Sequence, residues 1–299
     1  MRDSGAQRST CRASSWLELK AVYYIQMIIA KGDREVSILD NEMPQDQGDV
    51  FLEQKGGVAW ITLSRPSALN SLTWKMYGQL EEYLHLLESD DSVRVLVVRG
   101  DGDKSLAAGT DIQQFREFTS AGGVLYEKRI DRIMDLLGNL PIPTIAAVQG
   151  YAVGGGFVLA AACDLRYATP DARLGAPMAK TLGNCLSYDN YQRLAQSIGS
   201  MRVKELLYTA RLLDAEEASS IGFLTAIFPK SDFFEQVGQV AKLIAVNAPL
   251  TVWATKQAFL PKGRGSVSDG KGFEDVVKKV YGSRDFAEDV KLQKEGKPC

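Results

Sequence analysis

One histidine, His85, stands in 299 residues. That scarcity excludes any mechanism built on two imidazoles. Cysteine is almost as rare: Cys11, Cys163, Cys185 and Cys299 form no CxxC pair. A disulfide framework and a zinc site are therefore not expected, and a reducing compartment is. Neither sign of charge dominates, with 35 Lys and Arg against 37 Asp and Glu. A chain without a basic field lacks the electrostatic footprint of a nucleic-acid binder. Long hydrophobic runs are missing too. The longest, Ala21 to Ala30, is broken by Gln26 and falls short of the roughly 18 residues a spanning helix needs. GxGxxG, GK[ST] and G-x-S-x-G are absent, which weakens nucleotide-loop and nucleophile-elbow readings. There is no internal repeat and no low-complexity tract.

What is present falls into three stretches. Over residues 1–45, Arg2, Arg8, Arg12, Lys20 and several serines resemble a weak transit peptide, while Asp3 and Glu18 oppose that reading. A disordered or transit-like extension is expected there, with Met27 or Met43 as alternative starts. Residues 46–200 alternate apolar strands and amphipathic helices. Val58 to Leu63, Val93 to Gly100, Pro143 to Val148 and Leu165 to Ala168 read as strands. Thr73 to Glu88 and Tyr126 to Leu137 have helical spacing, and Gly150 to Ala162 turns from a strand into a helix. This alternation implies an α/β core with mostly parallel pairing. Residues 201–299 are helical in period and are expected to form a separate C-terminal region.

Two glycine-bearing turns follow strands: Leu106-Ala107-Ala108-Gly109-Thr110-Asp111, and Gly150 to Gly156 with its run Gly154-Gly155-Gly156. Three glycines at a helix start strip the backbone of side chains. Ligand atoms can then approach the N–H groups, where the helix dipole favours negative charge.

The motifs come in a recognisable order. RPSALNSLT (Arg65 to Thr73), SLAAGTDIQQF (Ser105 to Phe115), PTIAAVQGYAVGGGFVLAAACDLRYA (Pro143 to Ala168) and Ala215 to Phe228 resemble the enoyl-CoA hydratase/isomerase, or crotonase, family over roughly residues 52 to 298. The resemblance implies a spiral of ββα units followed by C-terminal helices that drive trimer formation, giving a homotrimer or homohexamer. It implies an acyl-CoA substrate, no cofactor beyond the CoA moiety, and no metal. It also implies that the N–H groups of Ala108 and Gly155 hold the thioester oxygen as an enolate forms. A single well-placed donor of this kind is worth about 3 kcal/mol of barrier. Arg65, Ala68, Asp111 and Ile112 match positions that hold the adenine and pantetheine ends, and Lys294 and Lys297 a phosphate-contacting tail.

The chain departs from the family where hydratases carry two glutamates. Those positions are Val158 and Met178, and neither transfers a proton, whereas hydration needs a base for water and an acid for the α-carbon. Isomerisation, decarboxylation or other enolate chemistry is thus expected over ordinary hydration. Inactive acyl-CoA binding, or a carbonyl hydrolase without CoA, are the alternatives. The loop Thr181 to Gln192 is one residue longer than the common hydratase version and supplies replacement candidates. Asp189 is the preferred acid or base, against a helix N-cap reading, and Tyr188 a proton or hydrogen-bond donor. Ser187 stands where isomerases often carry an acid. Glu127 and Asp131, spaced i and i+4, reach the site from a flanking helix or form a solvated face. Cys185 reads as a buried small residue, and His85 as a surface one. A cytoplasmic protein is expected, or an organellar one if the extension is a transit peptide.

Overall fold

The computed structural model describes residues 46–115, 119–260 and 270–294; the expected N-terminal extension lies outside them. In chain order the elements are β1 (Asp49–Lys55), β2 (Val58–Ser64), α1 (Trp74–Glu88), β3 (Val95–Gly100), β4 (Ser105–Ala107), α2 (Ser120–Asn139), β5 (Thr144–Val148) and β6 (Tyr151–Val153). Next come α3 (Gly155–Ala162), β7 (Leu165–Ala168), β8 (Arg173–Gly175), α4 (Tyr188–Ile198), α5 (Ser200–Thr209) and β9 (Leu213–Asp214). Last are α6 (Ala215–Ser220), β10 (Ala226–Ile227), α7 (Phe233–Ala245), α8 (Pro249–Phe259), α9 (Gly270–Tyr281) and α10 (Arg284–Lys294).

Two sheets carry the fold. One has six strands in the order β1-β2-β3-β5-β7-β10, and the other four in the order β4-β6-β8-β9. The hairpin β1–β2 is antiparallel and the rest of the large sheet is parallel. Successive strands thus visit the two sheets in turn before each helix, as the expected spiral of ββα units requires. The continuous apolar character of β3 has a direct cause. Leu96 and Val98 pack into the main core on one face, while Val95 and Val97 pack under α7 on the other. A parallel sheet covered on both faces has no side that tolerates polar residues.

Helix α1 starts where Thr73 accepts the Met76 N–H, a hydroxyl N-cap that satisfies one orphan donor. It buries Met76, Tyr77, Leu80, Leu84 and Leu87, one face at helical spacing, with Trp74 half-buried at its start. Helix α3 is apolar all round and buried from Gly156 to Ala162, as befits the central helix of a core. Gly156 permits this position. A Cβ there would lie 2.1 Å from the Ala107 carbonyl oxygen, so only glycine lets α3 close on β4.

A boundary at residue 200 does not divide the structure. Strand β10 pairs with β7, β9 pairs with β8, and α7 covers the large sheet through Phe233, Val237 and Ala241. The C-terminal region is woven into the same core, because both sheets need strands from beyond residue 200 to cover their edges. Helix α8 is pinned by Lys256, whose ammonium is buried against Asp164 Oδ2 at 2.8 Å and the Ile142 carbonyl at 2.9 Å. No single helix among the described residues is long and apolar enough to cross a membrane.

Candidate active site

The two glycine turns face each other. Strand β4 ends at Ala107 and β6 at Val153, and the segments leaving them form opposite walls of one cavity of about 120 Å³. Gly109 and Gly154 turn the walls with φ of +93° and +55°. Gly155 opens α3, so its N–H lies among the first four of the helix, which have no intrahelical acceptor. A Cβ on Gly155 would meet Tyr77 Oη at 3.0 Å, Thr110 Oγ1 at 3.4 Å and the Thr110 nitrogen at 3.7 Å. Gly155 therefore stands close against Thr110 and the Tyr77 hydroxyl.

This arrangement corrects the expected donor pair. The Ala108 N–H donates to the Leu69 carbonyl at 3.0 Å and is spent inside the fold. Thr110 is differently placed. It forms a parallel bridge with Leu72, in which Leu72 N–H donates to Gly109 and Asp111 N–H donates to Leu72. In such a bridge the partner's own N–H points away from Leu72, and the Thr110 nitrogen lies 3.7 Å from where a Cβ on Gly155 would stand. The sequence signal was present in the motif, but register alone does not say which way each amide points.

The acid and base candidates rearrange as well. Tyr188 is 74% exposed, and both Tyr188 and Asp189 line a separate open groove of about 910 Å³ with Arg193 and Lys256. Neither residue lines the glycine cavity. Two cations of that groove are spent internally, Arg193 on Asp135 at 2.9 Å and Lys256 on Asp164. Asp189 is not the N-cap of α4. Ser187 is, accepting the Asn190 N–H at 3.1 Å. Cys185 is exposed rather than buried. His85 is exposed, as expected, near Glu88.

The carboxylate that reaches the cavity is Glu127, from α2. Its Oε2 accepts the Ser187 N–H at 2.8 Å, and Asp131 accepts the Ser187 hydroxyl. Burial pushes the Glu127 carboxyl up to about 7, with the neighbouring Asp131 charge adding to the rise and the Ser187 hydrogen bond opposing it. Tyr126 stands beside it. A run of hydroxyls links Tyr77 to Thr110 Oγ1 at 2.8 Å and Thr110 Oγ1 to Tyr126 at 2.7 Å. Burial raises both phenols, Tyr126 to about 12, so they stay protonated. Where the family's hydratases carry glutamates the lining is apolar, at Val158 and Met178 with Ile130 and Leu186, while Thr181, Asn184 and Asn190 add polar groups to it.

The residues matched to CoA-binding positions divide. Ile112 lines the cavity mouth beside Thr110. Arg65 does not present its guanidinium outward: it is 8% exposed and bonds Asp111 at 2.7 Å, Ser71 Oγ at 3.1 Å and the Asp46 carbonyl at 2.8 Å. Arg65 and Asp111 thus hold the loop together. Ala68 ends a short 3₁₀ turn and is half-buried. The side chain of Lys294, and Lys297 entirely, lie outside the described residues. Among the described residues no cluster of three or more His, Cys, Asp or Glu is placed to hold a metal ion.

Two sheets in a ββα spiral, with paired glycine turns confronting bare N–H groups across a small cavity, define a fold and site suited to an acyl thioester. The sequence pattern of the enoyl-CoA hydratase/isomerase family matches residues 53–283, and the chain belongs to that family. It is 34% identical over 211 residues to a short-chain-enoyl-CoA hydratase of Clostridium acetobutylicum, covering 71% of this chain and 80% of that one. It is 35% identical over 209 residues to an (E)-benzylidenesuccinyl-CoA hydratase of Thauera aromatica, covering 70% and 81%. Among solved structures, an enoyl-CoA hydratase from Bacillus anthracis superposes with a TM-score of 0.76 at 30% identity, covering 83% of this chain and 96% of the other.

Proposed function

We propose that this member of the family makes enolates from acyl-CoA thioesters, with the thioester oxygen held by the N–H groups of Thr110 and Gly155 and the proton moved by Glu127. The observation that carries this reading is Glu127 itself. It is a carboxylate in the wall of the glycine cavity, held near neutral pKa, where a group can both take and return a proton. Two facing backbone donors supply the charge stabilisation that an enolate oxygen needs.

A single carboxylate favours one kind of step. Glu127 removes a proton from the carbon next to the thioester, and the same group returns it at another carbon, so a double bond shifts without water. Val158 and Met178 line the cavity and contribute no second acid, which supports a proton shift over hydration by the usual pair. The chemistry asks for no cofactor beyond the CoA moiety. The same reading expects a homotrimer or a dimer of trimers, supported by Leu243, Val246 and Phe259, exposed to 65%, 79% and 84% on α7, α8 and their link, where apolar area favours association.

The test is incubation with enoyl-, acyl- and malonyl-CoA esters in D₂O, followed by mass spectrometry. Deuterium at the α-carbon with the native chain, and its loss in Glu127→Gln, is the expected result. Exchange that survives Glu127→Gln overturns the assignment of Glu127. Binding of the esters with no exchange at all would make the chain a binding subunit instead.

A further inference from the structure

The fold leaves one fully buried amide unanswered inside the cavity. Asn190 is 0% exposed, its backbone N–H caps onto Ser187, and it lines the same space as Gly155, Thr110 and Glu127. Neither its Oδ1 nor its Nδ2 has a hydrogen-bond partner. Burying an amide without partners is costly, and a leucine of similar size would pack there without that cost. A polar side chain retained in such a place points to a polar atom of the ligand. Val158, Met178 and Leu186 share that lining, so an apolar side chain at this position would have apolar company.

The chemistry of the amide narrows the class. It presents both donors and an acceptor, which matches a hydroxyl, itself one donor and an acceptor. A carboxylate accepts only. It would leave Oδ1 unbonded and set a second negative charge in the cavity that holds Glu127. We infer that Asn190 reads a hydroxyl oxygen on the acyl portion, so that short hydroxyacyl-CoA esters are the preferred ligands of this cavity. The small volume, about 120 Å³, restricts the acyl portion to a few carbons. The inference rests on the acyl-CoA reading above and adds a specificity-determining residue to it.

Calorimetry on the full chain with each enantiomer of 3-hydroxybutyryl-CoA, and with butyryl-CoA, tests it. The native chain is expected to bind one hydroxylated enantiomer about tenfold more tightly than butyryl-CoA, the scale of one buried hydrogen bond. Asn190→Leu is expected to erase that preference, to bind butyryl-CoA at least as well, and to melt at a higher temperature. Equal affinities in the native chain, or a preference that survives Asn190→Leu, overturn the inference. A folded protein that binds none of these esters sinks the acyl-CoA reading itself. Crotonyl-CoA in H₂¹⁸O separates two sources of the oxygen. Water adding across the double bond puts its hydroxyl on the β-carbon and a hydrogen on the α-carbon, so label at the β-carbon means the oxygen read by Asn190 entered as water. An unlabelled outcome, with the hydroxyacyl preference intact, means that the hydroxyl arrives on the substrate.

Discussion

Glu127 and Asp131, one helical turn apart on α2, grip the same residue: Glu127 takes the backbone N–H of Ser187, and Asp131 takes its hydroxyl. Ser187 is in turn the N-cap of α4. The carboxylate nearest the glycine turns is therefore fixed through the start of a helix, with Asp131 holding the cap in place. Because Glu127 spends an oxygen on that bond, its orientation is set before any ligand arrives.

A raised carboxyl has a signed consequence for stability. Glu127 stands near 7 in the fold and near 4.3 in the unfolded chain, so between those values the folded state holds more protons. The stability this contributes is present below about pH 4.3 and is lost as pH rises through about 7. After allowance for its partial exposure, the loss is on the order of 1 kcal/mol. Chemical denaturation from pH 5 to 8 should show native stability falling through this window relative to Glu127→Gln. α-Proton exchange should rise over the same window, as the base form appears, and Glu127→Gln should cost about 10²- to 10⁴-fold. A native-minus-variant difference that is flat with pH contradicts the raised value.

The two central glycines separate function from folding. A methyl on Gly155 points at Tyr77 Oη and Thr110, at 3.0 and 3.4 Å, contacts that small shifts relieve. Gly155→Ala is expected to fold with a melting temperature near native, yet to lose most ester affinity and exchange, because the methyl occupies the space between the facing walls. A methyl on Gly156 meets the Ala107 carbonyl at 2.1 Å, which no small shift relieves. Gly156→Ala is expected to cost several kcal/mol through backbone displacement, read as poor soluble yield or a collapsed unfolding transition. If Gly155→Ala binds esters like the native chain, the cavity between the turns is not the thioester site.

Much of this was legible in the residues. The strands of the large sheet announce themselves as apolar runs because both faces are covered, and the glycine run announces the cavity because close approach excludes side chains. Val158 and Met178, which stand where the family's hydratases carry glutamates, both line the cavity. The acid was harder to find. Asp189 reads as part of the loop Thr181 to Gln192, yet it falls in the first turn of α4, whose geometry turns Tyr188 and Asp189 toward the outer groove and Asn190 inward. Glu127 is more than 50 residues away in sequence and reaches the cavity only because α2 packs along α3. Hydrogen-bond direction was invisible too. Ala108 and Thr110 are two residues apart in the same motif, and only the folded chain shows that the Ala108 N–H is spent on Leu69 while Thr110 bridges Leu72.

Arg65 offers the sharpest test of what a family motif carries over. Its guanidinium donates to Asp111, Ser71 and Asp46 from a site 8% exposed, and Asp111 leads directly from Thr110. Removing one partner of a buried pair leaves the other charge uncompensated, so Arg65→Met should lower stability by about 3 kcal/mol. Arg65→Lys should fall between, since an ammonium lacks the planar fork that reaches several acceptors at once. Both effects belong to the unfolding transition. Measured well below that transition, CoA affinity should be unchanged in Arg65→Lys, because the native side chain already spends its donors inside the protein. A large drop in CoA affinity with an unaltered unfolding curve would mean that the guanidinium turns outward to meet the nucleotide, and that its contacts with Asp111 and Ser71 are secondary.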